Sequence, residues 1–193
     1  MVRSADRDQA AGFFYWHDEQ YPLDLSYDNV LRWFKLLDAQ VGEVTKLLIS
    51  FSMFVGDGLD VPIDKQAEEV RRIAQLIGES PYDFDADGTK TYDYEQDSEA
   101  IYASFIKEYG IDLVEEKGRL DYFKFRALFA NLSAKSPIKE LVQIRTENPA
   151  EHADDTKYVA AITQQQHEYA LHKSDAEMER EKQAQLDKAL ESI

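Results

Sequence analysis

Hydrophobic positions along this chain follow two different periods, and the change between them marks out its elements. Near the start, FFYWHDEQYPLDL (residues 13–25) sets two short aromatic and apolar runs around a polar turn. Pro22 suits only an edge strand, so the stretch predicts a β-hairpin. From there the spacing becomes helical. Ser26 or Asp28 is positioned to cap NVLRWFKLLD, in which Val30, Leu31, Phe34, Leu36 and Leu37 recur at helical intervals. A second, strongly apolar helix, EVTKLLISFSMFV, runs into the GDG of residues 56–58, where glycine suits a helix end. Pro62 introduces a third helix with a predicted stripe of Ala67, Val70, Ala74 and Ile77, closed by Gly78.

The second half repeats this grammar. Asp97 or Ser98 opens EAIYASFIKEY, with Ile101 and Phe105, and Tyr102 and Tyr109, on its inward side and Gly110 as the stop. DYFKFRALFANL follows as another helix. SPIKELVQIR has Ser136 at the cap and Pro137 in the first helical position. Beyond Thr146 the composition turns polar, and SDAEMEREKQAQLDKALESI carries a capping box of Ser174 with Glu177 over a thin stripe of Leu186, Leu190 and Ile193. The expected fold is mainly α: a single helical domain with a small N-terminal β-hairpin and a charged C-terminal helical extension. The expected boundaries are a disordered segment over 1–12, the helical domain over 13–150, and a polar, partly helical extension over 151–193.

Charge then narrows the functional classes. Lysine and arginine total 22 against 38 acids, a formal charge of −16, without a concentrated basic stripe. Such a surface repels a phosphate backbone, so nucleic acid is not an expected partner. Without a cysteine there is no disulfide framework and no thiolate chemistry. No apolar run approaches the roughly 20 residues that span a bilayer, and MVRSADRDQAAG lacks the apolar core of a signal peptide. The sequence therefore predicts a soluble protein with no membrane partner.

Three stretches invite a chemical reading. DFDADGTKTYDYEQD (residues 83–97) opens like a calcium loop, with Asp83, Asp85 and Asp87 alternating before Gly88. The bidentate glutamate that should close such a loop is replaced by Tyr94, so the leading reading is a solvated acidic linker, with those three aspartates as a weak metal candidate. HEYALH (residues 167–172) suggests a zinc-protease motif, but His167 and His172 are five apart. That spacing sets them roughly 140° apart at about 100° per residue, so they are poorly placed to share an ion. No phosphate loop or nucleophile elbow is present, and the expectation is a protein without enzymatic activity or cofactor. The third stretch is YFKF, residues 122–125. Adjacent aromatics on a helix point to different sides, so one can enter the core while the other reaches outward. Tyr122 and Phe123, flanked by Lys124 and Arg126, form the candidate partner-binding anchor; its alternative is that both rings are core or half-buried.

The blocks YPLDLSYDNVLRWFKLLD (21–38), YDYEQDSEAIYASFIKEYGIDL (92–113), LDYFKFRALFANL (120–132), IKELVQIR (138–145) and EYAL (168–171) occur in the order of a known pattern. Together they resemble the gene-product-fifteen family of tailed bacteriophages, encoded in the tail region of siphophages and prophages near the tape-measure gene. The aromatic helix departs from the family's frequent His and Trp opening, and the DxDxDG loop falls between the blocks as a local insertion. The resemblance implies a tail assembly chaperone that binds and solubilises the tape-measure protein in the host bacterial cytoplasm and is absent from the mature virion. Further partners it suggests are the tail tube protein and a second tail chaperone. Other classes remain: another phage tail or accessory structural protein, a calcium-binding module, or an acidic inhibitor or decoy of a host protein.

Overall fold

The computed structural model describes residues 12–78, 90–172 and 183. The fold is mainly α, with one small antiparallel hairpin. Strands β1 (Phe13–Trp16) and β2 (Glu19–Pro22) pair from Phe13 opposite Pro22 to Trp16 opposite Glu19. The two turn residues, His17 and Asp18, both have positive φ (50° and 64°). A two-residue loop of this hand matches the twist of the strands it joins.

Seven α-helices lie among the described residues: α1 (Tyr27–Asp38), α2 (Glu43–Val55), α3 (Ile63–Gly78), α4 (Ser98–Tyr109), α5 (Tyr122–Ala130), α6 (Pro137–Thr146) and α7 (Thr156–Glu168). A 3-10 turn over Pro149–His152 precedes the last. The chain divides into two compact units, one of residues 1–86 and 111–131, the other of residues 87–110 and 132–193. Within the described residues the expected helices up to Thr146 fall where the pattern placed them, and α7 follows at Thr156–Glu168; the expected helix over SDAEMEREKQAQLDKALESI lies outside the described residues. Residues 1–11, residues 79–89 with the acidic run, and the extension beyond His172 (residue 183 apart) lie outside the described residues.

In the first unit, α1 and α2 form an antiparallel pair. Asn29 Nδ2 donates to the Met53 carbonyl (2.8 Å), Trp33 Nε1 to Ser50 Oγ (2.9 Å), and Lys46 Nζ to the Leu37 carbonyl (2.6 Å). Each step forward along α1 thus meets a step back along α2. Trp33 also sets its ring edge-on to Phe54 at 5.4 Å. Ser26 occupies the N-cap position of α1, but its hydroxyl donates to Asp24 Oδ1 (2.5 Å) instead of capping the helix. The hairpin closes the other side of the core: Phe14 packs with Phe51 and Val61, and Trp16, Tyr21, Leu23 and Val70 lie against them.

The inward face of α3 differs from the apolar count. Its buried residues are Glu69, Ile73 and Ile77, while Val70 and the two alanines are half-buried. Glu69 can enter the stripe because Arg72 holds both its carboxylate oxygens at 2.5 and 2.9 Å. Arg72 also reaches the Phe13 carbonyl at 3.1 Å, tying α3 to β1. A buried charge is tolerated when it is paired and hydrogen-bonded, and a count of apolar spacing cannot see that arrangement.

The second unit is organised around α4 and α6. Ile101, Ser104 and Phe105 of α4 are buried, and Gly110 ends the helix in the left-handed conformation (φ 65°, ψ 20°) that glycine adopts without strain. Ser136 stands at the N-cap of α6 with Pro137 behind it, as expected, yet its side chain makes no capping bond. Ser104 Oγ instead accepts from the Ile138 N–H (3.1 Å), so α6 is capped from α4. The start of α7 is capped by Asp155, which accepts from the N–H groups of Lys157 (3.1 Å) and Tyr158 (3.0 Å). Gln166 of α7 donates to the Ile144 and Glu147 carbonyls at the end of α6 (3.0 and 2.7 Å).

One ion pair joins three segments of this unit. Arg145 grips Asp97 with both terminal nitrogens (2.6 and 2.7 Å), the two side chains being only 8% and 3% exposed. It also donates to the carbonyls of Tyr169 (2.7 Å) and Thr91 (3.1 Å). Beside it, Gln96 donates to the Ala170 carbonyl (2.9 Å) and accepts from the His172 N–H (2.8 Å). The sequence blocks YEQD, IR and EYAL, far apart in the chain, meet here.

Candidate functional site

The four residues of the sequence-predicted anchor differ in exposure and in what they hold. Asp121 caps α5 by accepting from the Phe123 and Lys124 N–H groups (2.9 and 3.3 Å). A short bridge pairs Asp121 with Ser26, and Tyr122 N donates to the Leu25 carbonyl at 2.8 Å. This places Tyr122 in the core, 4% exposed, edge-on to Phe34 at 5.9 Å. Phe123 is half-buried against Tyr122 at 5.8 Å, and Lys124 is exposed. Arg126 lies over both rings, 5.7 Å from that of Tyr122 and 5.4 Å from that of Phe123, and its Nη1 donates to the Ile77 carbonyl (2.8 Å). It therefore holds the carbonyl end of α3, where a cation also complements the helix dipole. Of the set, only Phe123 and Lys124 offer much to a partner.

Asp83, Asp85 and Asp87 lie outside the described residues. The acids that follow them are engaged in local structure. Asp93 accepts from the Glu95 and Gln96 N–H groups (2.8 Å each) and from Lys90 Nζ (2.7 Å). Burial pushes its pKa up, but Lys90 and the two backbone donors outweigh that and hold it below the ordinary carboxylate range. Asp97 belongs to Arg145. Among the described residues no group of three or more histidine and acidic side chains is placed to hold a metal ion, and no helix is long and apolar enough to cross a membrane. A cleft of about 390 Å³ lies between β1 and α3, lined by Phe13 to Trp16 and by the paired charges Lys65, Glu68, Glu69 and Arg72.

The surface most unlike its surroundings is the turn end of the α1–α2 pair. Leu37, Val41, Val44, Leu48 and Ile49 keep between 40% and 59% of their surface exposed. Leu37, Val41 and Val44 flank the turn, and Leu48 and Ile49 follow midway along α2. Their exposure originates in the sequence of α2. One side of that helix buries Ser50, Phe51 and Phe54, but EVTKLLISFSMFV is apolar almost all round, and a small unit can cover only part of it. Val44 and Leu48, one turn apart, remain outside. The only cation on α2, Lys46, is directed into the Leu37 carbonyl and lies 3.6 Å from Glu43. Sequence reasoning placed this helix as an apolar one and did not say which of its residues face outward. The available signal was the lack of a polar face.

Residues 8–171 match the family model described as Bacteriophage Gp15 protein. The chain belongs to the bacteriophage Gp15 protein family. This Gp15 family member is thus a phage protein, and the match covers both units, taking in every helix and strand described above. It includes the whole exposed apolar end of α1–α2 and the Arg145–Asp97 pair. No curated protein and no solved structure matches the chain.

Proposed function

We propose that this Gp15 family protein is a tail assembly chaperone, which binds the tape-measure protein in the host bacterial cytoplasm and keeps it soluble while the tail is built. A tape measure is a very long amphipathic helical protein whose apolar stripes associate when left uncovered. The observation that carries the proposal is the set of exposed aliphatic side chains on the α1–α2 pair of an acidic, helical phage protein. Exposed aliphatics of this kind suit helix docking, and the net charge of −16 opposes coalescence of coated rods. A chaperone must also leave, so each contact is weak and affinity comes from many copies on one long partner. In this reading the protein is not an enzyme, needs no cofactor, and does not remain in the finished virion.

Co-expression with the tape-measure protein of the same phage tests it. The expected result is a soluble tape measure that co-purifies with several copies of this protein. A tape measure that stays insoluble with or without it, while a neighbouring gene product rescues it, overturns the proposal.

A further inference from the structure

We propose that Gln96 and Arg145 form a docking clamp for an extended peptide, which the chain's own Tyr169–His172 closes as a releasable strap. Three bonds hold the strap. Arg145 Nε donates to the Tyr169 carbonyl (2.7 Å), Gln96 Nε2 donates to the Ala170 carbonyl (2.9 Å), and the His172 N–H donates to Gln96 Oε1 (2.8 Å). All three are made to the main chain. The carbonyl of residue 170 and the N–H of residue 172 flank Leu171, so the Gln96 amide makes the two bonds that a residue of a neighbouring parallel strand makes. Glutamine suits this place because its side chain both donates and accepts. Leu171 is half-buried, whereas Tyr169, Ala170 and His172 are exposed. The strap is thus held by its backbone with one aliphatic anchor, the form of recognition by which extended peptides add to a sheet edge.

The clamp is set by groups outside the strap. Asp97 grips Arg145 at 2.6 and 2.7 Å and accepts from the Asp93 N–H at 2.9 Å, and Asp93 in turn accepts from the Gln96 N–H at 2.8 Å. This chain of bonds stays in place when the strap leaves. The strap itself is lightly tied. It follows the end of α7, where the Tyr169 N–H closes the last turn on the Gln165 carbonyl (2.8 Å), and its own bonds lie at exposed positions. A segment held in this way opens locally while the rest of its unit stays folded. The same chemistry defines what takes its place: an extended segment with two successive carbonyls, an N–H two residues after the second, and an aliphatic side chain between. Such a peptide supplied in trans competes with the strap, so its apparent affinity is reduced by the fraction of clamps that stand open.

The test uses the full chain and a labelled peptide of the strap's own sequence, HEYALHK (residues 167–173). His172→Pro removes the N–H that Gln96 accepts, keeps Leu171 in the extended range that precedes a proline, and alters no buried side chain. Fluorescence anisotropy should show the peptide binding the His172→Pro protein at least about tenfold more tightly than the wild type, with unchanged melting. Adding Gln96→Ala should remove that gain. Adding Gln96→Glu should remove it too, because a carboxylate cannot donate to the Ala170 carbonyl. A peptide with proline in place of the second histidine, HEYALPK, should bind about tenfold more weakly than its parent. Hydrogen exchange gives a separate reading: in the single variant Gln96→Ala the His172 N–H should exchange at least about tenfold faster, while the Ile101 and Phe105 amides of α4 keep their rates. Equal peptide binding by the wild-type and His172→Pro proteins, or its absence from both, overturns the proposal. So does a proline peptide that binds as well as its parent, since recognition then does not run through the main chain. A His172→Pro protein that melts several degrees lower overturns it as well, because the strap is then part of the unit's core and not releasable.

Discussion

Replacing Arg145 with methionine should be among the most damaging single changes in the second unit. Methionine keeps much of the stem's volume, so the loss is chiefly that of the guanidinium. Asp97 would then remain 3% exposed with the Asp93 N–H, at 2.9 Å, as its other partner shown here. Removing one member of a buried ion pair costs about 3–5 kcal/mol, because the remaining charge stays desolvated. The Tyr169 and Thr91 carbonyls also lose a donor, which places the expectation toward the upper half of that range. Against a total stability of about 5–15 kcal/mol this is a large fraction. At about 2–4 °C per kcal/mol for a chain of this length, melting should fall by roughly 6–20 °C. The assay is urea and thermal unfolding followed by circular dichroism, since both tryptophans, Trp16 and Trp33, lie in the first unit and report little on the second. The double variant Arg145→Met with Asp97→Asn should lose less than the sum of the single changes, because no uncompensated charge is left. A single-variant loss below about 1 kcal/mol, or strict additivity in the cycle, would refute the reasoning.

Ser136→Ala should be neutral or stabilising, although replacing an N-cap serine ordinarily costs about 1 kcal/mol, because the Ser136 hydroxyl is buried without a hydrogen-bond partner; a loss of the ordinary size in urea unfolding contradicts this. Tyr27 has its pKa raised to about 12, first by burial and then by Asp28, Asp112 and Glu116. The folded state therefore holds that proton more tightly than the unfolded chain. Its contribution is fully present below about pH 10 and should fall above it by at most about 1.4 kcal/mol per unit up to about 12, a slope that Tyr27→Phe should reduce in alkaline unfolding curves and whose persistence in that variant counts against the assignment.

The fold was legible wherever backbone chemistry is local. Gly110 stops α4, Pro137 starts α6 and Asp121 starts α5, each at the position its chemistry dictates. What escaped were choices made by partners distant in sequence. Ser26 and Ser136 stand where caps belong, but neither hydroxyl caps its helix: Asp24 takes the first, and Ser104 serves the helix start in place of the second. Glu69 lies in the buried stripe of α3 only because Arg72 is one turn away to neutralise it. In each case the residue type was right and the bond depended on a neighbour that periodicity does not name.

The candidate site shows the same limit in a sharper form. Aromatic residues at 122 and 123 looked like an anchor because large rings dominate interfaces, but rings are also what a small core takes first. Tyr122 goes inward, and Arg126 serves the carbonyl end of α3. The aliphatic residues of α2 were legible as an apolar helix, but not the division between those that face inward and those left outside. A helix has one inward side, and Ser50, Phe51 and Phe54 already fill it. Val44, Leu48 and Ile49 are therefore a surplus that folding of the described residues leaves exposed. Exposed apolar surface carries a continuing risk of aggregation, and a strong net negative charge is one way for a protein to bear it. Surplus apolarity on α2 and surplus acidity over the whole chain are thus two halves of one arrangement. The first gives a helical partner something to hold, and the second keeps copies of the protein from holding one another.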